Sequence, residues 1–159
     1  MKLYIKQKVF SFRDKFTVKD ENGIDKYYVE GKLLSWGKQL YIFDRLERKV
    51  AFIKQRVFTF MPKYEVYVND MLVSEIAKQF TFFKMRLTVS RLNWVVSGDF
   101  WAHSYKITSG DELIATIDKA WFSWGDSYVL DIHDQENEVI ALAVILAIDC
   151  IIASNTNNS

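Results

Sequence analysis

Apolar and polar residues alternate through most of this chain, and the alternation gives way to one long apolar run near the end. In the first segment Leu3 and Ile5 alternate with Tyr4 and Lys6, a period of two that is typical of a half-buried β-strand. The same pattern predicts twelve strands in all. They are predicted at residues 3–10, 16–19, 26–32, 40–44, 50–58, 63–68, 72–80, 84–90, 94–98, 105–108, 113–118 and 128–132.

A recurring aromatic motif groups these strands in pairs. Phe58-Thr59-Phe60 is a clear copy, and related units begin at residues 10, 34, 80, 100 and 122. Turn-like segments such as Glu21-Asn22-Gly23 separate the units, and short connections between neighbouring strands produce antiparallel hairpins. The chain is therefore predicted to form six hairpins in one meander. Because the motif recurs, its aromatic residues are expected to pack as architecture rather than line a ligand mouth; they include Trp36, Trp101, Trp121 and Trp124.

The apolar run predicts a helix over residues 137–153. From Val139 to Ala153 its only non-apolar residue is Asp149, and a helix that is apolar on every side is normally buried. Twelve meandering strands can hide their edges by closing into a barrel, which is wide enough to hold more than its own side chains. We therefore predict a mainly β protein: a closed antiparallel barrel of about twelve strands around a buried hydrophobic C-terminal α-helix. Residues 1–153 are predicted to form one domain, with 154–159 as a disordered tail.

A membrane-spanning role for this run is the competing interpretation. A spanning helix needs about 20 apolar residues, whereas this run is shorter, contains Asp149, and has no basic or aromatic anchor at its C-terminal end. No transmembrane segment is therefore predicted. The chain opens with alternating apolar and charged residues rather than a signal segment, and its single Cys cannot form an internal disulfide, so a cytoplasmic location is expected.

Residues that could support catalysis are few. No glycine-rich phosphate-binding loop is present, and His103, His133 and Cys150 lack the paired spacing of a zinc site. Asp99 and His103 could meet at one corner of the repeat, but a histidine donating to a turn carbonyl or carboxylate is the expected arrangement. Asp149 is expected to have a structural role, with a raised pKa if it is buried. No enzymatic activity, metal or cofactor is predicted.

The charge distribution suggests a different kind of site. The net charge is +1, but residues 1–91 carry a balance of +9 and residues 92–159 one of −8. Five basic residues fall around one predicted hairpin, where Glu47 is the only acid within residues 45–56, and they form a candidate surface for an anionic ligand: Arg45, Arg48, Lys49, Lys54 and Arg56. The alternative is that the two halves interleave in space and their charges cancel.

Three separated stretches resemble the LURP-one-related (LOR) family, which includes bacterial YxjI-like members. They are GDFWAHSY at 98–105, WFSWGDSYVLDI at 121–132 and VIALAVILAIDC at 139–150, within a similarity that covers nearly the whole chain. The resemblance implies the fold shared by the tubby C-terminal domain and phospholipid scramblases, a twelve-stranded barrel around a hydrophobic C-terminal helix. No residue of the tubby headgroup site can be matched to this sequence.

The resemblance also sets the functional expectations, although a shared fold alone does not transfer function. Tubby domains bind phosphoinositides, scramblase relatives are associated with membrane lipids, and plant LOR members are linked to defence. We expect a non-enzymatic module that recognises an anionic ligand, such as a phospholipid or phosphoinositide headgroup, and is peripheral at the membrane. The alternative is a protein-interaction scaffold of a stress or defence response without a small ligand. Nucleic acid is not an expected partner.

Overall fold

The computed structural model describes residues 1–6, 15–61, 63–79, 86–122 and 125–156. These residues form twelve strands, a 3-10 turn at Gln135–Asn137 and one helix, α1, at Glu138–Thr156. The strands are β1 Lys2–Lys6, β2 Lys15–Lys19, β3 Asp25–Leu34, β4 Gly37–Asp44, β5 Lys49–Arg56, β6 Lys63–Val68, β7 Met71–Gln79, β8 Arg86–Val89, β9 Trp94–Asp99, β10 Ser104–Ser109, β11 Glu112–Phe122 and β12 Gly125–Ile132.

The strands form a single closed antiparallel barrel in which each strand pairs with its neighbours in sequence. Antiparallel pairing of β1 with β12 closes the ring, with Leu3 opposite Leu130. Alternation places one face of each strand inside; in β4, for example, Leu40 and Ile42 are buried. The predicted barrel of twelve strands is confirmed.

Several strand boundaries differ from the prediction. β3 continues to Leu34 because Leu33 pairs with Lys38 and Leu34 with Gly37, although the apolar alternation has ended there. β5 ends at Arg56, so the aromatic motif that follows lies in a connection and not in a strand. The second half of the predicted first strand, residues 7–10, lies outside the described residues.

The C-terminal helix occupies the interior of the barrel. Every residue from Ala141 to Ile152 is buried, which confirms the predicted buried helix. α1 starts one residue after the predicted start and continues three residues past the predicted end. At that end the Ser154 hydroxyl donates to the Cys150 carbonyl at 2.8 Å. By length and composition α1 could cross a membrane, but 67% of the relevant window is buried within the barrel, as in the core helix of a soluble protein.

The alternation of strand direction gives the barrel two distinct ends. Connections from odd- to even-numbered strands lie at one end, which we call the aromatic end; those from even- to odd-numbered strands lie at the other, the acidic end. α1 begins at the acidic end, where Glu138 accepts a hydrogen bond from the Tyr27 hydroxyl at 2.8 Å and pairs with Lys26 at 2.8 Å. It finishes at the aromatic end, where Lys38 Nζ donates to Ser154 Oγ at 3.3 Å.

Gly98 supports a close approach of β9 to β10 and leads to a first prediction. Its φ is +137°, and a Cβ atom there would lie 2.5 Å from the Ser104 carbonyl oxygen and 2.6 Å from the Tyr105 Cα. Gly98→Ala therefore requires backbone movement, and we expect it to lower the free energy of unfolding by about 2–3 kcal/mol or more. Urea denaturation followed by circular dichroism measures the loss.

Gly110→Ala is the matched control. Gly110 also has a positive φ, +58°, but nothing lies within 4 Å of the added Cβ. The substitution should cost only the backbone strain, about 1–2 kcal/mol. Equal losses for the two variants would show that the close approach at Gly98 does not matter.

Candidate functional site

Four aromatic side chains project into solvent at the aromatic end, and we call them the aromatic tips. Phe58 is 103% exposed, Phe60 96%, Trp36 57% and Trp101 56%. They come from three different connections, β3–β4, β5–β6 and β9–β10. The prediction that the recurring aromatic residues pack was wrong for Trp36 and Trp101. The side chains of Trp121 and Trp124 lie outside the described part of the chain.

The connection that carries Phe58 and Phe60 has a defined shape. Phe58 has a φ of +64°, a conformation that a bulky side chain rarely adopts. The Thr59 hydroxyl lies 2.8 Å from the Met61 carbonyl oxygen and 3.2 Å from that of Arg56, so the threonine closes the turn while both phenylalanines point outwards. The exposure of these two rings therefore accompanies a specific backbone conformation.

The connection that carries Trp101 is anchored in a similar way. Asp99 Oδ1 accepts hydrogen bonds from the backbone amides of Trp101 and Ala102, both at 3.0 Å. Phe100 is buried and its ring lies 5.4 Å from that of Tyr105. One aromatic residue of the pair fastens the connection to the core and the next projects from it.

A ring of basic residues lies behind the aromatic tips. We count the described side chains in the connections of the aromatic end and in the three strand residues on either side of each connection. They include nine lysine or arginine residues and two carboxylates, Glu65 and Asp99, so the net charge there is +7. The nine basic residues, which we call the basic girdle, are Lys15, Lys32, Lys38, Lys54, Arg56, Lys63, Lys78, Arg86 and Lys106.

The acidic end has the opposite balance. We count the connections of this end and the three strand residues on either side of each connection, together with the first three residues of β1 and Glu138, the first residue of α1. They contain twelve carboxylates and seven lysine or arginine side chains, a net charge of −5. The two halves of the sequence do interleave around the barrel, but their charges do not cancel, because they separate along its axis. The molecule is electrostatically polar from end to end.

The structure does not bring the five predicted basic residues together. Arg45, Arg48 and Lys49 lie at the acidic end, whereas Lys54 and Arg56 lie at the aromatic end of β5. Lys49 and Arg56 are the first and last residues of that strand, so their backbones are about 23 Å apart at about 3.3 Å per residue. That these five residues bind an anionic ligand together remains a prediction from the sequence.

The three residues at the acidic end each have a carboxylate partner, and the distances are as follows. Arg45 Nη2 lies 2.9 Å from Asp20 Oδ2, Arg48 Nη2 lies 2.6 Å from Asp44 Oδ2, and Lys49 Nζ lies 2.7 Å from Asp70 Oδ1. The hydrogen bond from Arg48 is the main reason that the pKa of Asp44 is lowered. These positive charges are therefore largely compensated by carboxylates, of which Asp20 and Asp70 are distant in sequence and Asp44 is four residues from Arg48.

Arg56 and Lys54 both face Glu65 on the outer wall. Arg56 Nη1 lies 2.7 Å from Glu65 Oε1, and the Tyr67 hydroxyl donates to Glu65 Oε2 at 3.0 Å. Burial acts to raise the pKa of Glu65, but the hydrogen bonds from Arg56 and Tyr67 outweigh it and the pKa is lowered. Lys54 is opposite Glu65 in the strand register.

Three other members of the basic girdle are more available to a ligand. Lys32, Arg86 and Lys106 are exposed, and none of them takes part in an ion pair among the residues that the structure describes. Lys32 Nζ lies 4.9 Å from the centroid of the Tyr41 ring, a cation–π distance that leaves its outer side open. Sequence reasoning missed these residues because they belong to three different strands.

The interior of the barrel contains one buried carboxyl group of α1, that of Asp149. It is 4% exposed, and burial raises its pKa to about 8. Neither Asp149 Oδ1 nor the Tyr105 hydroxyl has a hydrogen-bond partner among the described residues, although the two groups are close enough to influence each other's pKa. Burial also raises the pKa of the adjacent Cys150 thiol, so this thiol is not an activated nucleophile.

The candidate corner formed by Asp99 and His103 has a structural arrangement. The Asp99 carboxylate caps the turn, and the His103 ring stacks on Tyr128 with 4.5 Å between centroids. Burial lowers the pKa of His103 and so favours its neutral form. Within the described residues there is no group of three or more His, Cys, Asp and Glu side chains that could hold a metal ion.

Comparison with known proteins agrees with this architecture. The family model described as LURP-one-related matches residues 1–149. A Bacillus subtilis (strain 168) protein described as "Uncharacterized protein YxjI" is 33% identical over 159 residues, which cover all of this chain and 98% of that protein. An X-ray structure of a protein from Arabidopsis thaliana superposes with a TM-score of 0.58 at 13% identity, over 98% of this chain and 90% of that one.

None of these descriptions ascribes an enzymatic activity. The structural similarity is at low sequence identity and shows the fold alone, a closed twelve-stranded antiparallel barrel around a C-terminal helix. The family match and the full-length relative together establish the relationship. This chain belongs to the LURP-one-related family.

Proposed function

We propose that this protein is a non-enzymatic, cytoplasmic module that binds anionic phospholipid surfaces and is peripheral at the membrane. The observation that carries the proposal is the separation of charge along the barrel axis. Among the described side chains, the aromatic end has a net charge of +7 and the acidic end one of −5. An anionic surface attracts the first end and repels the second, so the molecule approaches with its aromatic end forward.

The magnitude of the attraction is sufficient for reversible binding. Each lysine or arginine near an anionic leaflet contributes about 1 kcal/mol, and the contribution falls off within a Debye length of about 8 Å at physiological salt. Only residues close to the surface therefore count. The exposed members of the basic girdle, including Lys32, Arg86 and Lys106, meet this condition in an end-on approach.

Neutralising these residues provides the test and a second prediction. The variant Lys32→Gln, Arg86→Gln and Lys106→Gln should bind vesicles of phosphatidylcholine with about 30% phosphatidylserine at least tenfold more weakly, because three contributions of about 1 kcal/mol are lost. Co-sedimentation at low and high salt measures the partition coefficient. Vesicles of phosphatidylcholine alone should bind the unmodified protein at least tenfold more weakly than the anionic vesicles do.

The matched control removes three charges at the other end. The variant Arg45→Gln, Arg48→Gln and Lys49→Gln has the same net charge as the first triple variant, but it should bind nearly as well as the unmodified protein. A larger loss in this control would place the site at the acidic end instead. Binding that ignored salt, lipid charge and both sets of substitutions would contradict the proposal and favour the alternative, a protein-interaction scaffold of a stress or defence response.

A further inference from the structure

We infer that the aromatic tips penetrate the lipid interface, so that the barrel stands end-on with the C-terminal end of α1 towards the bilayer. This inference rests on the proposed function, since it assumes that the aromatic end meets an anionic lipid surface. It adds an apolar component to the electrostatic one, and with it a fixed orientation and a depth. The residues concerned are Trp36, Phe58, Phe60 and Trp101.

The exposure of these side chains is the first observation. Phe58 is 103% exposed and Phe60 96%, so both rings are almost entirely in water when the protein is alone. Single exposed apolar residues are common on protein surfaces, but large aromatic side chains that share one end of a barrel are not. Transfer of such rings to an apolar environment is favourable, whereas leaving them in water contributes nothing to the fold.

The order of residue types along the barrel axis is the second observation. The described connections of the aromatic end, residues 35–36, 57–61 and 100–103, contain no lysine, arginine, aspartate or glutamate. The basic girdle lies behind them in the strands. Interfacial proteins show the same order, with aromatic residues at the level of the acyl boundary and basic residues at the level of the phosphates.

The local conformations are the third observation, because they hold the tips outwards. Phe58 has a positive φ, and the hydroxyl of Thr59 closes its turn. Asp99 caps the connection from which Trp101 projects, and Phe100 fastens that connection to the core. The tips are therefore prepared before a membrane is met, which reduces the conformational entropy that binding would cost.

A lipid surface fits this arrangement better than a protein partner does. The nine residues of the basic girdle come from eight different strands, and so their charges surround the tips instead of forming one patch. A layer of lipid phosphates presents negative charge all around an inserted apolar group. We therefore assign an anionic bilayer as the occupant, and capture of a protein partner without vesicle binding would overturn the assignment.

The third prediction tests insertion directly. Vesicles of phosphatidylcholine and phosphatidylserine with bromine atoms on their acyl chains should quench the tryptophan fluorescence of the bound protein, because quenching requires contact with the acyl region. The variant Trp36→Phe and Trp101→Phe should bind equally well and show clearly less quenching than the unmodified protein. The variant Phe58→Ser and Phe60→Ser should bind at least tenfold more weakly at physiological salt, and lose most of the binding that persists at high salt.

The control changes two exposed apolar residues at the acidic end, Leu46→Ser and Met71→Ser, which are 70% and 67% exposed in the unmodified protein. It should bind and be quenched like the unmodified protein; an equal loss in this control would overturn the end-on orientation. Protein that binds anionic vesicles without quenching would overturn the inference and leave the proposed function intact. Protein that binds no anionic vesicle would overturn both.

Discussion

Replacing both Leu142 and Leu146 with alanine should unfold the barrel. Both side chains are fully buried on α1, one helical turn apart, and they face the surrounding strands. Each Leu→Ala change in a core costs about 2–5 kcal/mol, because transfer free energy is lost and a cavity remains. The combined loss of about 4–10 kcal/mol is comparable with the whole stability of a typical domain, about 5–15 kcal/mol. Far- and near-ultraviolet circular dichroism at room temperature measures the folded fraction.

The control for this experiment makes the same Leu→Ala change at a solvent-exposed leucine. Leu46 is 70% exposed in the β4–β5 connection, and Leu46→Ala should change the free energy of unfolding by less than about 0.5 kcal/mol. A double variant in α1 that remained as stable as Leu46→Ala would show that the helix contributes little to the fold. That result would contradict the account of α1 as the core of the barrel.

The contribution of Asp149 to the stability of the protein should fall as the pH rises from about 4 to about 8, by up to about 1 kcal/mol per pH unit. Burial raises the pKa of Asp149 in the folded protein to about 8, above its ordinary value of 3.8. Between these values the folded state holds a proton that the unfolded state has lost, so raising the pH favours unfolding. The contribution is fully present below the lower value and is lost above the higher one.

The variant Asp149→Asn should remove this slope. The amide has a similar shape but does not titrate, so the difference in stability between the variant and the unmodified protein should move in favour of the variant as the pH rises. Urea denaturation at about pH 5 and about pH 8 measures the free energy of unfolding of both proteins. Asp111→Asn, at an exposed turn, is the control and should preserve the slope. Parallel pH profiles for Asp149→Asn and the unmodified protein would contradict the prediction.

The sequence was informative about the fold because its two dominant patterns act over short distances. Alternation of period two determines which face of a strand is buried, and the all-round apolar run around Asp149 left a barrel interior as the natural place for the helix. Strand ends were less accurate. Leu33 and Leu34 continue β3 only because β4 offers backbone partners, and that pairing is a property of two strands together.

The candidate site was harder to predict, for two physical reasons. A basic cluster in the sequence does not show which carboxylates lie across the strands, and Arg45 finds Asp20 from a different hairpin. An aromatic residue in a connection can point inwards or outwards, as Phe100 and Trp101 do in adjacent positions. The aromatic motif does recur along the chain, but its recurrence did not show that every aromatic residue is packed, since Trp36 and Trp101 are exposed.

The pairing of β1 with β12, followed directly by α1, has a consequence for how the chain acquires its fold during synthesis. The first strand must wait for the last one before the ring can close, and the segment that fills the ring is made later still. Until then the growing chain exposes unpaired edges and an unfilled interior, which makes it a good substrate for chaperones and proteases. A chain that lacked α1 would therefore retain an unfilled interior, and one that also lacked β12 would retain an unpaired β1 edge.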